Sequence, residues 1–278
     1  MAIAEDAQDK PVALVTGASS GLGKVMAEAL AAEGYQVFGT SRDPGRAAPP
    51  SGVRLIAMDV DDDASVENAV GAVIAETGRL DLLLCSAGFG FMGPIEDSAS
   101  AEMIAQFQTN VFGVHRACRA ALSHLRRRPA AKILVVGSLA GIVGLPYQGM
   151  YSASKFALEG YCEALRMELR DSPVRVALVQ PGDFSTGFTG SRRFVADVSA
   201  PHAAAFARAL AIVQEDEANG GDIALIADAI VRLAADPAPP LRTVVASAEQ
   251  AELAEARPAT DPAEWEALIA EHYGLEPG

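Results

Sequence analysis

The stretch VALVTGASSGLGKVMAEALAAEG, residues 12–34, decides the fold. It begins with a short apolar run, Val12 to Thr16, closed by glycines, and from Lys24 onward its apolar positions fit helical spacing. Strand, glycine turn and helix in that order open a βα unit. Gly17, Gly21 and Gly23 sit in the turn, with Ser19, Ser20 and Leu22 between and beside them. Glycines let the backbone turn tightly and approach a ligand, while the helix start offers unpaired N–H donors and a dipole that favours an anion. The turn therefore predicts a cradle for the pyrophosphate of a dinucleotide, in GxxxGxG rather than GxGxxG spacing.

The same unit recurs along the chain. YQVFGTS at 35–41, VRLIAMDV at 53–60, LDLLLCSAG at 80–88, KILVVGS at 132–138 and VRVALVQPG at 174–182 read as strands, and helical stretches separate most of them. Continuous apolar strands alternating with helices predict an α/β fold, a mainly parallel sheet covered on both faces. LRTVVAS at 241–247 adds a candidate edge strand. One domain over 1–278 is expected, with RDPGRAAPPSG at 42–52 as a surface connection. The segment 186–222 interrupts the βα rhythm and is expected to be a substrate-binding insertion or lid. The acidic extension 248–278 carries the only tryptophan, Trp265, and reads as either a docking helix or a partly ordered end.

Composition narrows the function. Of 278 residues, 50% are hydrophobic and 21% charged, which suits a folded soluble domain. A formal net charge of −14 argues against non-specific attraction to nucleic acid or anionic membrane. The one dense basic run, Arg126 to Arg128, precedes Pro129 and reads as a cluster complementing a helix C-terminus. Cys85, Cys118 and Cys162 have no CxxC spacing and the four histidines no HxxxH spacing, so no metal site is expected. The first residues lack an apolar signal core, and no uninterrupted apolar 18-mer follows, so the expected home is the cytoplasm.

Strand two ends in GTSRD. In a dinucleotide fold an acid at that point accepts from a ribose 2'-hydroxyl and repels a 2'-phosphate. Thr40 and Ser41 stand in its place and Arg42 follows, a residue suited to bidentate phosphate contact. The pattern predicts NADP in preference to NAD, tempered by Asp43, with a solvated loop arginine as the other account of Arg42. Farther on, MYSASKFALEG at 150–160 sets Tyr151 and Lys155 four apart, one above the other on a helix. An ammonium beside a phenol favours the phenolate and is expected to lower its pKa. An ordinary amphipathic helix with an exposed lysine has the same spacing.

Ser138 lies before Tyr151 at the end of KILVVGS. Together with TGASSGLG, LDLLLCSAG, TNVFG and QPGDFST, the Ser138, Tyr151 and Lys155 set resembles the short-chain dehydrogenase/reductase family over roughly residues 11 to 186. The resemblance implies a single Rossmann-type doubly wound domain with a seven-stranded sheet, and hydride transfer between a nicotinamide cofactor and a carbonyl or alcohol. It makes Tyr151 the proton donor or acceptor, Ser138 a hydrogen-bond partner of the substrate oxygen, and Lys155 a ligand of the nicotinamide ribose. Asn110, in TNVFG, becomes the residue that kinks its helix and joins a proton relay to Lys155; a buried helix residue satisfying backbone groups is compatible with that. Asp59 and Val60 align with an adenine-contacting pair, although an acid in DVDDDAS also suits a helix cap. CSAG replaces the usual NNAG: Ser86, Ala87 and Gly88 keep the backbone approach, while Cys85 and Ser86 replace two amides. Pro181, Gly182 and Thr186 match a nicotinamide-lining segment, with Phe184 as an apolar wall or a core residue.

Within the family the chain looks most like NADP-dependent enzymes related to 17β-hydroxysteroid and retinol dehydrogenases, implying a bulky apolar ketone, aldehyde or alcohol. Phe89, Phe91, Met92, Tyr147, Met150, Phe188 and Phe206 are candidates for its pocket. The family also implies a homodimer or homotetramer through helices near 101–128 and 151–171, where Phe107, Leu158 and Leu165 offer apolar surface. A non-enzymatic dinucleotide-binding redox sensor is the alternative function; an epimerase finds no support in the sequence.

Overall fold

The computed structural model describes residues 10–46, 48–185 and 192–275. Strands β1 (Val12–Thr16), β2 (Gln36–Ser41), β3 (Val53–Ala57) and β4 (Leu82–Cys85) alternate with helices α1 (Gly21–Ala32) and α2 (Asp63–Thr77). The two-residue strand β5 (Phe91–Met92) follows, then α3 (Ser100–Phe107), a π turn at Gln108–Phe112 and α4 (Gly113–Leu125). The second half adds β6 (Ala131–Val136), α5 (Gly149–Glu168), β7 (Val174–Pro181), β8 (Arg193–Phe194), α6 (Ala200–Ala218), α7 (Ala224–Ala235) and β9 (Arg242–Val245). Helices α8 (Ala248–Ala256) and α9 (Pro262–His272) close the described chain.

Seven strands form one sheet in the order β3-β2-β1-β4-β6-β7-β9, and each neighbouring pair runs parallel. The strand β1 is central and fully buried because it is covered above and below. Its alternate residues face opposite layers, as the period of two requires. Val12 and Leu14 join a core with Val70 of α2, Cys118 of α4 and Leu158 of α5, whereas Ala13 and Val15 join Met26 and Leu30 of α1 and Ile230 of α7. Burying each large side chain of these layers contributes about 1.5–3 kcal/mol. The edge strand β9 ends the sheet with mostly exposed or half-buried residues.

Several expectations change here. The helix over 101–128 is two helices joined by the π turn, which carries Asn110. The cap of α2 is Asp62, whose Oδ1 accepts from Ser65 N at 2.6 Å. Within the basic run, Arg128 Nε donates to Asp81 Oδ1 at 2.8 Å, and Arg79 clamps the same carboxylate, so this arginine is a tertiary tie rather than a dipole complement. Burial alone would raise the Asp81 pKa; the arginines and the Val12 N–H hold it below the ordinary value instead. Leu158 and Leu165 are buried within the subunit, so their apolar character serves the core. The acidic extension packs as α8 and α9, with Trp265 and Tyr273 buried. Among the described residues no helix is long and apolar enough to cross a membrane.

Candidate active site

All seven strands of the main sheet point their carboxyl ends toward one cavity of about 1050 Å³. Strand order reverses between β1 and β4, the place where a parallel sheet opens a crevice for ligands. The first wall is the glycine turn. Gly17 has φ of +67°, and a Cβ there would lie 2.8 Å from Ala87 Cα. A Cβ on Gly23 would lie 2.3 Å from Gly17 O, so only glycine lets α1 begin this close to the turn that follows β1. Ser20 precedes α1 in extended conformation without a side-chain cap. The exposed N–H groups, the dipole and the space free of Cβ atoms suit an anionic pyrophosphate. Ser19, Ser20, Gly21 and Leu22 line the cavity beside Gly17 and Gly23.

Two threonines outside the glycine pattern fix this wall, and neither stood out by spacing. Thr16 Oγ1 accepts from Ser86 N and Ala87 N, each at 2.9 Å, and Thr40 Oγ1 accepts from Gly17 N at 3.3 Å. The Thr16 bonds anchor the CSAG segment: Cys85 is buried in β4, while Ser86, Ala87 and Gly88 line the cavity. Ser41, Arg42, Asp59 and Val60 line its far end. The tempering carboxylate of Asp43 is engaged locally, accepting from Gly45 N at 3.2 Å and pairing with Arg46 at 3.3 Å.

At the other end stand Ser138, Tyr151 and Lys155. Ser138 follows β6 and accepts from Ala140 N at 3.1 Å, which fixes its hydroxyl at the start of a short 3-10 turn. Tyr151 and Lys155 share one face of the first turns of α5, and the Ser138 side chain is near enough to act on the Tyr151 phenol. Lys155 is buried, 5.7 Å from the Tyr151 ring centre, and its Nζ donates to Val136 O at 2.9 Å. The expected acidification of Tyr151 does not hold: burial pushes the phenol up to about 12, Asp183 and Glu217 add to that, and Ser138 and Arg192 oppose it. Burial likewise pushes the Lys155 ammonium down to about 8.

Asn110 does not line the cavity. Its Oδ1 accepts from Phe89 N at 3.1 Å, and its Nδ2 donates to Phe89 O at 3.0 Å and Ser154 Oγ at 3.2 Å. No described side-chain bond links it to Lys155; it holds the Phe89 wall against α5. Pro181, Gly182 and Phe184 line the cavity after β7, and Phe184 is also part of the core beneath α7. Thr186 and Phe188 lie outside the described residues.

Most of the aromatic and apolar residues assigned to a substrate pocket are core. Phe91 and Met150 pack with Val195, and Met92 packs with Tyr147, Phe206 and Tyr273 beneath α6. Of the described members of that set, only Phe89 lines the cavity, with the Arg193 guanidinium 3.9 Å above its ring. The actual lining comes from segments far apart in sequence: Val143, Leu145 and Gln148 before α5, Val213 of α6, and Trp265, Ile269 and Tyr273 from the C-terminal region. Arg192 and Glu217, both buried, pair at its edge. No periodicity announces these residues, because their shared wall exists only once the sheet and the last helices have packed.

Comparison with known proteins places this cavity. A family model described as short chain dehydrogenase matches residues 11–194. The 3-ketodihydrosphingosine reductase of Bacteroides thetaiotaomicron is 42% identical over 236 residues, 84% of this chain and 87% of that protein. The human 17-beta-hydroxysteroid dehydrogenase type 1 is 37% identical over 193 residues, 64% of this chain and 58% of that protein. A short chain dehydrogenase/reductase from Burkholderia phymatum, solved in complex with NAD, superposes with a TM-score of 0.78 at 25% identity, covering 92% of this chain and 98% of that one.

Proposed function

Because the chain belongs to the short-chain dehydrogenase family, a family of oxidoreductases acting on CH–OH groups, we propose that it reduces a ketone on a long apolar substrate with NADPH. The observation that carries this is that Ser138 and Tyr151 line one cavity wall, with Lys155 one turn away and the glycine turn across the crevice. The dinucleotide would be held by Gly17, Ser19, Gly21, Gly23 and Ala87 at its pyrophosphate and by Ser41 and Arg42 at its adenosine ribose. When bound it supplies the hydride. Ser138 donates to the substrate oxygen and Tyr151 releases its proton there as negative charge develops, which stabilises the transition state more than the ketone. A phenol pushed up to about 12 stays protonated throughout the neutral range, which favours the reductive direction. Lys155 orients the ribose beside Tyr151, and Asn110 holds the Phe89 wall.

Arg42 favours NADPH, and the Asp43 carboxylate, which also lines the cavity, is partly answered by Gly45 N and Arg46. The substrate class follows the similarity to the 3-ketodihydrosphingosine reductase: a long-chain ketone bearing an amine next to the carbonyl fits a cavity with both apolar and charged lining. Of the segment expected as a lid, the described residues 192–222 cover this cavity, and the C-terminal helices serve as its far wall. Exposed Ile104, Phe112, Phe156 and Met167 on and between α3 and α5 offer apolar surface for a homodimer or homotetramer. The cytoplasm remains the proposed location. A non-enzymatic sensor is disfavoured, since such proteins have no need of a serine, a tyrosine and a lysine gathered on one cavity wall. The test is a panel of ketones, amino ketones included, with NADPH and NADH in parallel: turnover is expected with NADPH, and dinucleotide binding without turnover of any ketone would overturn the proposal.

A further inference from the structure

The cavity beside Tyr151 holds three carboxylates, from Asp183, Asp216 and Glu217. Two have basic partners: Glu217 is bonded to Arg192, and Asp216 Oδ2 lies 3.0 Å from His272 Nε2. Asp183 differs. Among the described residues its side chain receives one hydrogen bond, from the neutral amide of Gln250, whose Nε2 lies 2.5 Å from Asp183 Oδ2. The same Gln250 accepts from Asp183 N at 3.2 Å, so α8 fixes the aspartate in place from behind. The stretch 186–191 that follows it, TGFTGS, contains no charged residue to answer it. Desolvation raises the Asp183 pKa, and Asp216 and Glu217 raise it further against the opposing effects of Gln250 and of Arg192, which among the described residues makes its ion pair with Glu217 rather than with Asp183. Asp183 and Tyr151 are close enough to act on each other electrostatically.

We propose that Asp183 is the specificity-determining residue that binds the primary ammonium of an α-amino ketone, setting the amine beside the carbonyl that Tyr151 and Ser138 engage. The proposal rests on the carbonyl-reductase reading of the cavity. 3-Ketodihydrosphingosine, the compound in the relative's name, carries its amine on the carbon next to the ketone, so a cation held at Asp183 lies one carbon from the reacting centre. A partly buried carboxylate gains from such a ligand, because an ion pair shielded from water is screened less. The ammonium also stabilises negative charge on the adjacent oxygen as hydride arrives, so binding and rate gain from one contact.

The test compares 3-ketodihydrosphingosine with 1-hydroxyoctadecan-3-one, its analogue without the amine, under saturating NADPH. The unmutated protein is expected to favour the amino ketone at least tenfold in kcat/KM, and Asp183→Asn, which keeps a partner for Gln250, to lower that ratio at least tenfold. A ratio unchanged by Asp183→Asn would overturn the inference while leaving the reductase proposal standing. A second measurement needs neither variant nor turnover: decylamine and decan-1-ol are titrated against the unmutated protein with NADPH at pH 7. Tighter binding of the amine supports the cation site even if neither ketone is reduced, and equal binding sinks it.

Discussion

At the dinucleotide end of the cavity the wall is main chain: Gly17, Gly23 and Ala87 touch through backbone atoms, and threonine hydroxyls pin N–H groups from neighbouring strands. At the substrate end the wall is side chain, with Tyr151, Gln148, Asp183, Arg192, Trp265 and Tyr273 arriving from five separate stretches. The first kind of wall depends on φ angles and the absence of Cβ atoms, and tolerates almost no substitution at a few positions. The second depends on which groups meet, and each contributes a separable piece of chemistry. One end is therefore fixed by geometry, and the other is open to change in specificity without loss of the fold.

The largest expected effect comes at the side-chain end. Tyr151→Phe removes the proton donor and is expected to lower kcat about a thousandfold, within the usual worth of general acid catalysis, with NADPH affinity within about threefold of the parent by fluorescence titration. A comparable fall in affinity would mean that the two walls are not separable. Next, Gly17→Ala puts a Cβ into a left-handed backbone against Ala87 and is expected to weaken both NADPH and NADH on the order of thirtyfold, the φ cost and the clash together. Unchanged affinity for either dinucleotide would show that the turn does not set the pyrophosphate site.

Arg42→Ala probes a charged side chain at the dinucleotide end. Its expected effect is roughly a tenfold loss for NADPH alone, the scale of one charge-assisted contact to phosphate; equal losses for both dinucleotides would remove the phosphate contact. The smallest effect concerns stability and pH without cofactor. Lys155 holds its proton less firmly when folded, near 8, than the roughly 10.4 of an exposed lysine. Between those values the unfolded chain binds more protons, so the parent gains stability as pH rises through that window, and the burden of a buried ammonium falls on it below pH 8. Lys155→Met has no such burden. Its Tm relative to the parent is expected to decline by a few degrees between pH 7.5 and 10, and a constant gap would place the lysine pKa elsewhere.

The sheet was legible because its strands are nearly continuous apolar runs between glycines, and their ends shift by only a few residues. VRLIAMDV, for example, leaves the sheet after Ala57 because Met58 to Val60 turn into the cavity wall. The glycine turn was legible because backbone demands leave a trace in spacing. Thr16 and Thr40 left none, since a strand-end threonine looks like any other until its neighbour strand is known. The apolar pocket failed for a related reason. Phe91, Met92 and Met150 have the character a substrate wants and the character a core wants, and packing against Val195 and α6 gave them to the core. The direction of the Tyr151 shift was beyond reach as well: helical spacing puts the lysine nearby, but desolvation depends on how tightly the chain closes over both groups.

The π turn at Gln108–Phe112 inserts one residue into what would otherwise be a single long rod. Straightening that turn into regular α-helix with the residue kept would rotate everything downstream by about 100°. Val114, Ala117, Cys118 and Ala121 would swing off the sheet, and polar neighbours would face it instead. The bulge thus works as a phase adjuster: deleting one residue at this point should leave α4 facing the sheet, whereas the same deletion farther along α4 should not.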